Sequence, residues 1–537
     1  MIYCIFFYKI GKIIYGGIQM KKGLGLVCCC LMLAVLAGCG KKAAPASAVE
    51  YKTVLNVAVM QESPSLDLHK NSSLVARQIG AGTIWEKLVT LNAESEVVPE
   101  LCERFEMSSD AATFTFYLRK GVKFHDGSVM NADDVVVSMN RWIGGFSVMR
   151  ELAGASRFEK LDDSTVRITF NHPAVTFPDV IAGANQPASI TTAKACADED
   201  DKGFLKQNIG TGPFKFVEWK LNQYILLEKF ADYVPYGDPS KPIDGWAGYK
   251  APGVEQIYFW VVPEATTRIA GLETGQYDIN YNLSTYDLPR VAAMQDVEMV
   301  RFQAGTSAFV FDKREGPASD LYFRKAVNAV INVDDILKPV YGELYELGSS
   351  YMDDTQPYWK SLAGKDQYNL KNPALAKEYL AKSNYKGEPF VILTTTMGNL
   401  DSGVLVMQQQ LEAIGINVKV TTVDWATVMA YISDPVRFDI YTTSFSSVPV
   451  PSLKLYFAAT YAGWSDDPTL QKYVSAFNAA TSREEARQIW DTLQEYSWEY
   501  LPILNLGHYI AASAWNKKVE NVTVYNGLYF WNTKIRK

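Results

Sequence analysis

Phe390-Val391-Ile392-Leu393-Thr394, then Met407, Leu411 and Ile414, then Gly415, then Val418 and Val420, is the stretch that decides the fold. The first five residues form a short apolar, β-branched run and predict a buried strand. Met407, Leu411 and Ile414 recur at i, i+4, i+7 and predict one apolar face of a helix that Gly415 ends. Val418 and Val420 open a second strand. Strand, helix, strand at this spacing is a βαβ unit, and it makes the second half of the chain α/β. Near the C-terminus, Thr481-x-x-Glu484 predicts a capping box. Behind it Ala486, Ile489, Trp490 and Leu493 form an apolar face, and Pro502 marks the stop.

The first half reads differently. Leu55-Asn56-Val57-Ala58-Val59 alternates and predicts a strand, followed by a loop at Gln61-Glu62-Ser63-Pro64-Ser65. Phe114–Leu118 and Val166–Phe170 alternate again, and the turn His125-Asp126-Gly127 lies between them. Asn131 caps a helix with Asp133 and Asp134 in its first turn. Residues 95–205 therefore form a strand-rich subdomain of their own.

The N-terminus carries a targeting pattern. Lys21 and Lys22 precede an apolar run that ends at Leu36-Ala37-Gly38-Cys39. A basic start, an apolar centre and small residues before a cysteine make a lipobox, with cleavage before Cys39 and a lipid on its thiol. An ordinary cleaved signal and an uncleaved anchor are the alternatives, but the run is short for a spanning helix. Met20 is the expected start, because Gly16-Gly17 resembles a ribosome-binding site read as protein. Residues 40–48 read as a flexible tether.

The chain has 537 residues and a net charge of −7, which becomes −11 once the segment before Cys39, with four lysines and no acids, is removed. Its length calls for more than one lobe. An acidic chain without a dense basic cluster is not a nucleic-acid binder. Of seven cysteines only Cys102 and Cys196 lie beyond the lipobox. They could pair or stay as buried thiols.

Catalytic patterns are missing. The four histidines, His69, His125, His172 and His508, show no ligand spacing, and no nucleophile elbow or phosphate-cradling loop appears. Ser383-x-x-Lys386 lies in a turn without its usual companion motifs. No cofactor or metal is expected. Abundant Tyr and Trp fit either core or a ligand cleft.

The block Leu101–Glu106, Thr113–Gly127 (through Lys120-Gly121-Val122-Lys123-Phe124-His125-Asp126-Gly127) and Asn131–Val135 resembles the signature of family 5 extracellular solute-binding proteins, the peptide, nickel and oligosaccharide receptors of ABC importers. Gly210-Thr211-Gly212-Pro213-Phe214, Gly271–Ile279, Phe323–Ile331 and Gln410–Ile416 resemble further blocks of that family in order. The resemblance implies a two-lobed periplasmic-binding-protein-like fold (type II, cluster C), with the extra subdomain on the first lobe and hinge closure on ligand. The implied division is 51–94, 208–295 and 504–537 for the first lobe, 95–207 for the subdomain, and 296–503 for the second lobe. It implies a monomeric receptor for a small solute such as an oligopeptide, with an ABC permease and ATPase as partners. A nickel chelate or glycan receptor, and a sensor or chaperone, are alternatives; an enzyme is disfavoured.

Peptide-binding members carry an aspartate, in a Trp-x-x-Asp-type stretch, that pairs with the ligand's α-ammonium. Here the matching strand runs Phe438–Phe445 into Ser446-Ser447-Val448-Pro449, with Phe445 at the Trp position and no acid after it. An unpaired buried ammonium costs several kcal/mol. Either Glu62 serves instead, or the ligand is not a free-amine peptide. The expected cleft residues are Ser444, Phe445 and Ser446, facing Gln61, Glu62 and Ser63, with Phe311, Met397, Trp425 and Trp464 as either cleft or core.

Overall fold

The computed structural model describes residues 49–537. The expected signal segment, the expected lipobox with Cys39 and the expected tether through residue 48 lie outside the described residues.

One mixed sheet runs through the molecule. Its main strands are β1 (Val54–Val59), β2 (Phe214–Lys220), β3 (Tyr224–Lys229), β4 (Gln256–Val261), β5 (Ile279–Asn280), β6 (Val297–Phe311), β7 (Phe390–Thr394), β8 (Val418–Thr422), β9 (Ile440–Ser446) and β10 (Ile503–Asn516). Their order is β8-β7-β9-β6-β10-β5-β1-β4-β3-β2. The expected βαβ unit is present: β7 pairs in parallel with β8 from Phe390↔Val418 to Thr394↔Thr422. The helix between them is Leu400–Glu412, which buries Val404, Met407 and Leu411. On the other side β1 pairs in parallel with β4 and β5. These two parallel groups are the centres of two lobes.

Two long strands carry the chain between them. β6 and β10 pair antiparallel from Val297↔Asn516 to Val310↔Ile503. β6 then joins β9 in the second lobe, and β10 joins β5 in the first. The β6–β10 ladder shifts register between Gln303 and Gly305 and again between Ser307 and Ala308. Bulges bend and twist a ladder locally, so the two connecting strands depart from regular pairing between the lobes.

The subdomain is an antiparallel sheet of Cys102–Met107, Thr113–Leu118, Thr165–Thr169 and Phe158–Asp162. Helix Ala132–Gly145 covers it and buries Val135, Met139 and Trp142. Its N-cap is the expected one. Asn131 accepts from the backbone of Asp133 and Asp134, and the Asp134 carboxylate accepts from Asn131 N. The signature turn has a bonding role. The His125 ring accepts from Gly210 N at 3.2 Å and donates to Gly212 O at 3.0 Å. Burial pushes this imidazole down to about 4, so it is neutral with the proton on Nε2. A Cβ at Gly210 or Gly212 would lie within 2.3 Å of the Ile84 or Thr83 carbonyl oxygen, which excludes any side chain there.

One expectation is corrected, and one alternative is decided. The C-terminal helix cap sits one residue later and is not a reciprocal box: Ser482 is the N-cap and accepts from Glu485 N, while the Glu485 carboxylate accepts from Thr481 N and Thr481 Oγ1. Both Thr481/Glu484 and Ser482/Glu485 have the four-residue spacing, and the fold uses the second. Cys102 and Cys196 are buried free thiols, and burial raises them to about 12 and about 11.

Candidate functional site

The two lobes meet across a cavity of about 330 Å³. Its second-lobe wall begins on β9, where Tyr441, Thr443 and Phe445 alternate onto one face, as period-two pleating requires. Ser444 and Ser446 reach the same space from the strand's end. Phe445 packs edge-on to Tyr456 at 5.1 Å and to Tyr461 at 6.3 Å, which fixes its ring while leaving one side towards the cavity. The Tyr441 hydroxyl donates to the Tyr461 hydroxyl at 3.2 Å. Trp425 and Met429 project from helix Trp425–Tyr431, whose N-cap Asp424 accepts from Thr427 N.

The first-lobe wall is built by Ser72, Arg77 and the segment from Val180 to Gln186. That segment is held from behind. The Trp142 indole donates to Gln186 O at 2.9 Å. Buried Lys87 donates to the carbonyls of Ala182 and Gly183 at the C-terminus of helix Phe177–Ala182. A cation suits that end of a helix. Burial nevertheless lowers Lys87 to about 7.

Arg77 lies on helix Leu74–Gly80. Its Nε donates to Ser72 O at 3.1 Å and its Nη1 to Asn185 Oδ1 at 2.5 Å. Among the described residues no carboxylate lines the cavity, and its ionic side chains are Arg77 and Lys454. Lys454 is buried, and its Nζ has no hydrogen-bond partner among the described residues.

The lobes touch at the rim. Arg483 pairs with Asp179 at 2.8 Å and donates to Ser95 O at 2.6 Å. The Ser95 hydroxyl donates to Thr355 O at 3.4 Å. A Cβ at Gly183 would stand 2.9 Å from Pro449 Cγ, so the small residue permits this approach.

Four expected residues, Ser444, Phe445, Ser446 and Trp425, line the cavity. The others do not. Glu62 accepts from the Trp219 indole at 2.9 Å and from Asn222 N at 2.6 Å, which pins the β2–β3 hairpin. Ser63 is buried and bonded to Ser65 O and the Ser73 hydroxyl, and Gln61 is exposed outside the cavity. Phe311 is fully buried in the second-lobe core. Trp464 is buried, stacked on Phe438 and covered by the Arg314 guanidinium. Met397 is exposed in a turn away from the cavity. Asp439 accepts from Val391 N at 2.6 Å, a bond that ties β9 to β7. Arg77, Asn185, Gln186 and Lys454 were not expected. An arginine in Leu74-Val75-Ala76-Arg77-Gln78 carries no sequence signal that separates it from a solvated helix face.

Among the described residues, no group of three or more His, Cys, Asp and Glu is placed to hold a metal ion, and no helix is long and apolar enough to cross a membrane.

Comparison with known proteins places this geometry. A probable peptide ABC transporter periplasmic-binding protein of Sinorhizobium fredii is 24% identical over 486 residues, covering 85% of this chain and 88% of its own. The ABC transporter substrate binding protein CtaP of Listeria monocytogenes superposes with a TM-score of 0.77 at 19% identity, covering 91% of this chain and all of its own. The structure of AgaA of A. tumefaciens R10, solved with agropinic acid, gives a TM-score of 0.70 at 24% identity over 90% of this chain and 99% of its own. The family description "Bacterial extracellular solute-binding proteins, family 5 Middle" matches residues 96–475, most of the folded chain, and the chain belongs to that family.

Proposed function

We propose that this protein captures a small extracytoplasmic solute between its lobes and delivers it to an ABC permease and its ATPase, without catalysis and as a monomer. The observation that carries this is the cavity itself. It is walled by both lobes, and the only long strands joining them among the described residues, β6 and β10, carry register shifts beside it. Lobes that pivot about such a connection close over a ligand as rigid bodies. Mass spectrometry of whatever co-purifies supplies the ligand. Adding that solute to stripped protein should reduce the radius of gyration in small-angle scattering. A demonstrated binder that leaves the radius unchanged rules out closure.

The same reading assigns a lipid anchor to Cys39. Two or more acyl chains hold a protein stably at a membrane, whereas one is marginal. Cys39→Ser should move the protein from the membrane fraction to soluble or unprocessed fractions. Unaltered processing and membrane retention of the variant would rule the lipobox out.

A further inference from the structure

We infer that the cleft selects solutes carrying an oxyanion, a carboxylate or phosphate, and that Arg77 is the residue that reads it. This rests on the reading of the cavity as the ligand site.

The argument is one of uncompensated charge. Arg77 is half-buried and lines the cavity. Its Nε and Nη1 are bound to neutral oxygens, those of Ser72 and Asn185, and its Nη2 has no hydrogen-bond partner among the described residues. Among the described residues no carboxylate forms an ion pair with it. The ionisable groups around it are the phenols of Tyr281, Tyr509 and Tyr529, which burial pushes up and keeps uncharged. Arginine stays protonated even where burial opposes it. A partly desolvated guanidinium without a counter-charge is costly, and a ligand oxyanion removes that cost through a charge-assisted bond.

The second cation does not cancel the first. Lys454 has Asp353 as its nearby acid, beyond ion-pair distance, and His508 beside both is held neutral by burial. Asp353 thus offsets Lys454 and leaves the guanidinium unmatched. An α-ammonium, by contrast, would meet no carboxylate on the lining among the described residues, only hydroxyls, amides and aromatic rings. Asn185 presets the guanidinium, and the Phe445 and Trp425 rings offer apolar contact to the rest of the solute.

Thermal-shift and calorimetric titrations of the whole protein test this. The probes are hippurate and phenyl phosphate as acids, hippuric acid methyl ester as their uncharged match, and Ala-Phe amide as a cation. At least one acid should bind at least tenfold more tightly than the ester, and the two acid arms separate carboxylate from phosphate. Arg77→Gln should lose at least tenfold for the acid and little for the ester, and Arg77→Lys should recover part of the loss. The acid-to-ester ratio of the unaltered protein needs no variant, so a poorly folded Arg77→Gln does not blunt the test. Binding by the amide alone, or by no acid, overturns the inference. Acid binding that Phe445→Ala weakens but Arg77→Gln does not also overturns it, while leaving the cleft intact. Acid binding insensitive to both changes overturns the cleft reading as well.

Discussion

Arg141→Ala should destabilise the protein by about 3–5 kcal/mol, the range for breaking a buried ion pair from one side. Arg141 Nη1 and Nη2 donate to Asp67 Oδ1 and Oδ2 at 3.0 and 2.7 Å, and the Asp67 side chain is fully buried. Arg141 also donates to Glu199 at 2.8 Å and to Gly203 O at 3.0 Å. Asp67 accepts further from His69 N and Leu205 N. The pair therefore clamps the loop before Arg77 onto the subdomain. Removing the guanidinium leaves a carboxylate in a dry site. Denaturant unfolding of the variant should show the loss. The double variant Asp67→Leu with Arg141→Met should be more stable than Arg141→Ala, because no orphaned charge remains. An Arg141→Ala protein as stable as the parent would show that Asp67 finds another partner or stays hydrated.

The pair also has an acid dependence. Burial by itself would raise the Asp67 carboxyl, but the Arg141 hydrogen bond and charge, with the Leu205 N–H, outweigh it and hold it below its ordinary value of 3.8. A carboxyl depressed in the folded state contributes stability above its unfolded pKa and loses it as pH falls through the folded one. The difference between parent and Arg141→Ala should therefore be full near neutrality and shrink as pH falls, beginning above 3.8, where the stranded Asp67 of the variant takes up a proton, and ending below 3.8, where that of the parent does.

Arg483→Ala should lower the ratio of closed to open protein about thirtyfold, roughly 2 kcal/mol. Its quarter-exposed side chain sets the estimate below that for Arg141. Arg483 stands on helix Arg483–Tyr500 of the second lobe and spans to Asp179 and Ser95 O, with its guanidinium 3.9 Å above the Tyr358 ring. Asp179 is buried, so removing Arg483 strands its charge in the closed form only. The radius of gyration at saturating solute should rise, and calorimetry should show weaker binding. Unchanged compaction would mean that apolar contact such as Gly183 against Pro449 suffices for closure.

Asp179→Asn should do the opposite or nothing. Burial raises Asp179 to about 6 against the opposing pull of Arg483, so desolvation is the larger effect. A carboxyl whose pKa is higher closed than open takes up a proton on closing. Acidification from pH 7 towards 5 should therefore favour closure in the parent, and this dependence should vanish in Asp179→Asn.

The regular elements were legible because they rest on local periodicity. Phe390–Thr394 is a strand because its run is short and β-branched. Met407 and Leu411 are buried because they share one helical face. Asn131 caps because its amide oxygen reaches the next backbone N–H groups. Phe445, at the end of β9, rests on something else. The family resemblance placed it, and the pleat turned it to the cavity.

Glu62 points to the first lobe's own hairpin, and an acid in a loop carries no mark of such a partner in sequence. The β2–β3 hairpin, some 160 positions away, supplies the Trp219 indole and Asn222 N–H that engage it. Trp464 and Phe311 look the same in sequence whether they face a ligand or a core. Arg77 shows the limit most clearly. By itself the sequence determined the strands, the capped helices and the two-lobed family. Only tertiary structure decided which charge stands without a counter-charge in the cleft, because that depends on every carboxylate the fold places elsewhere.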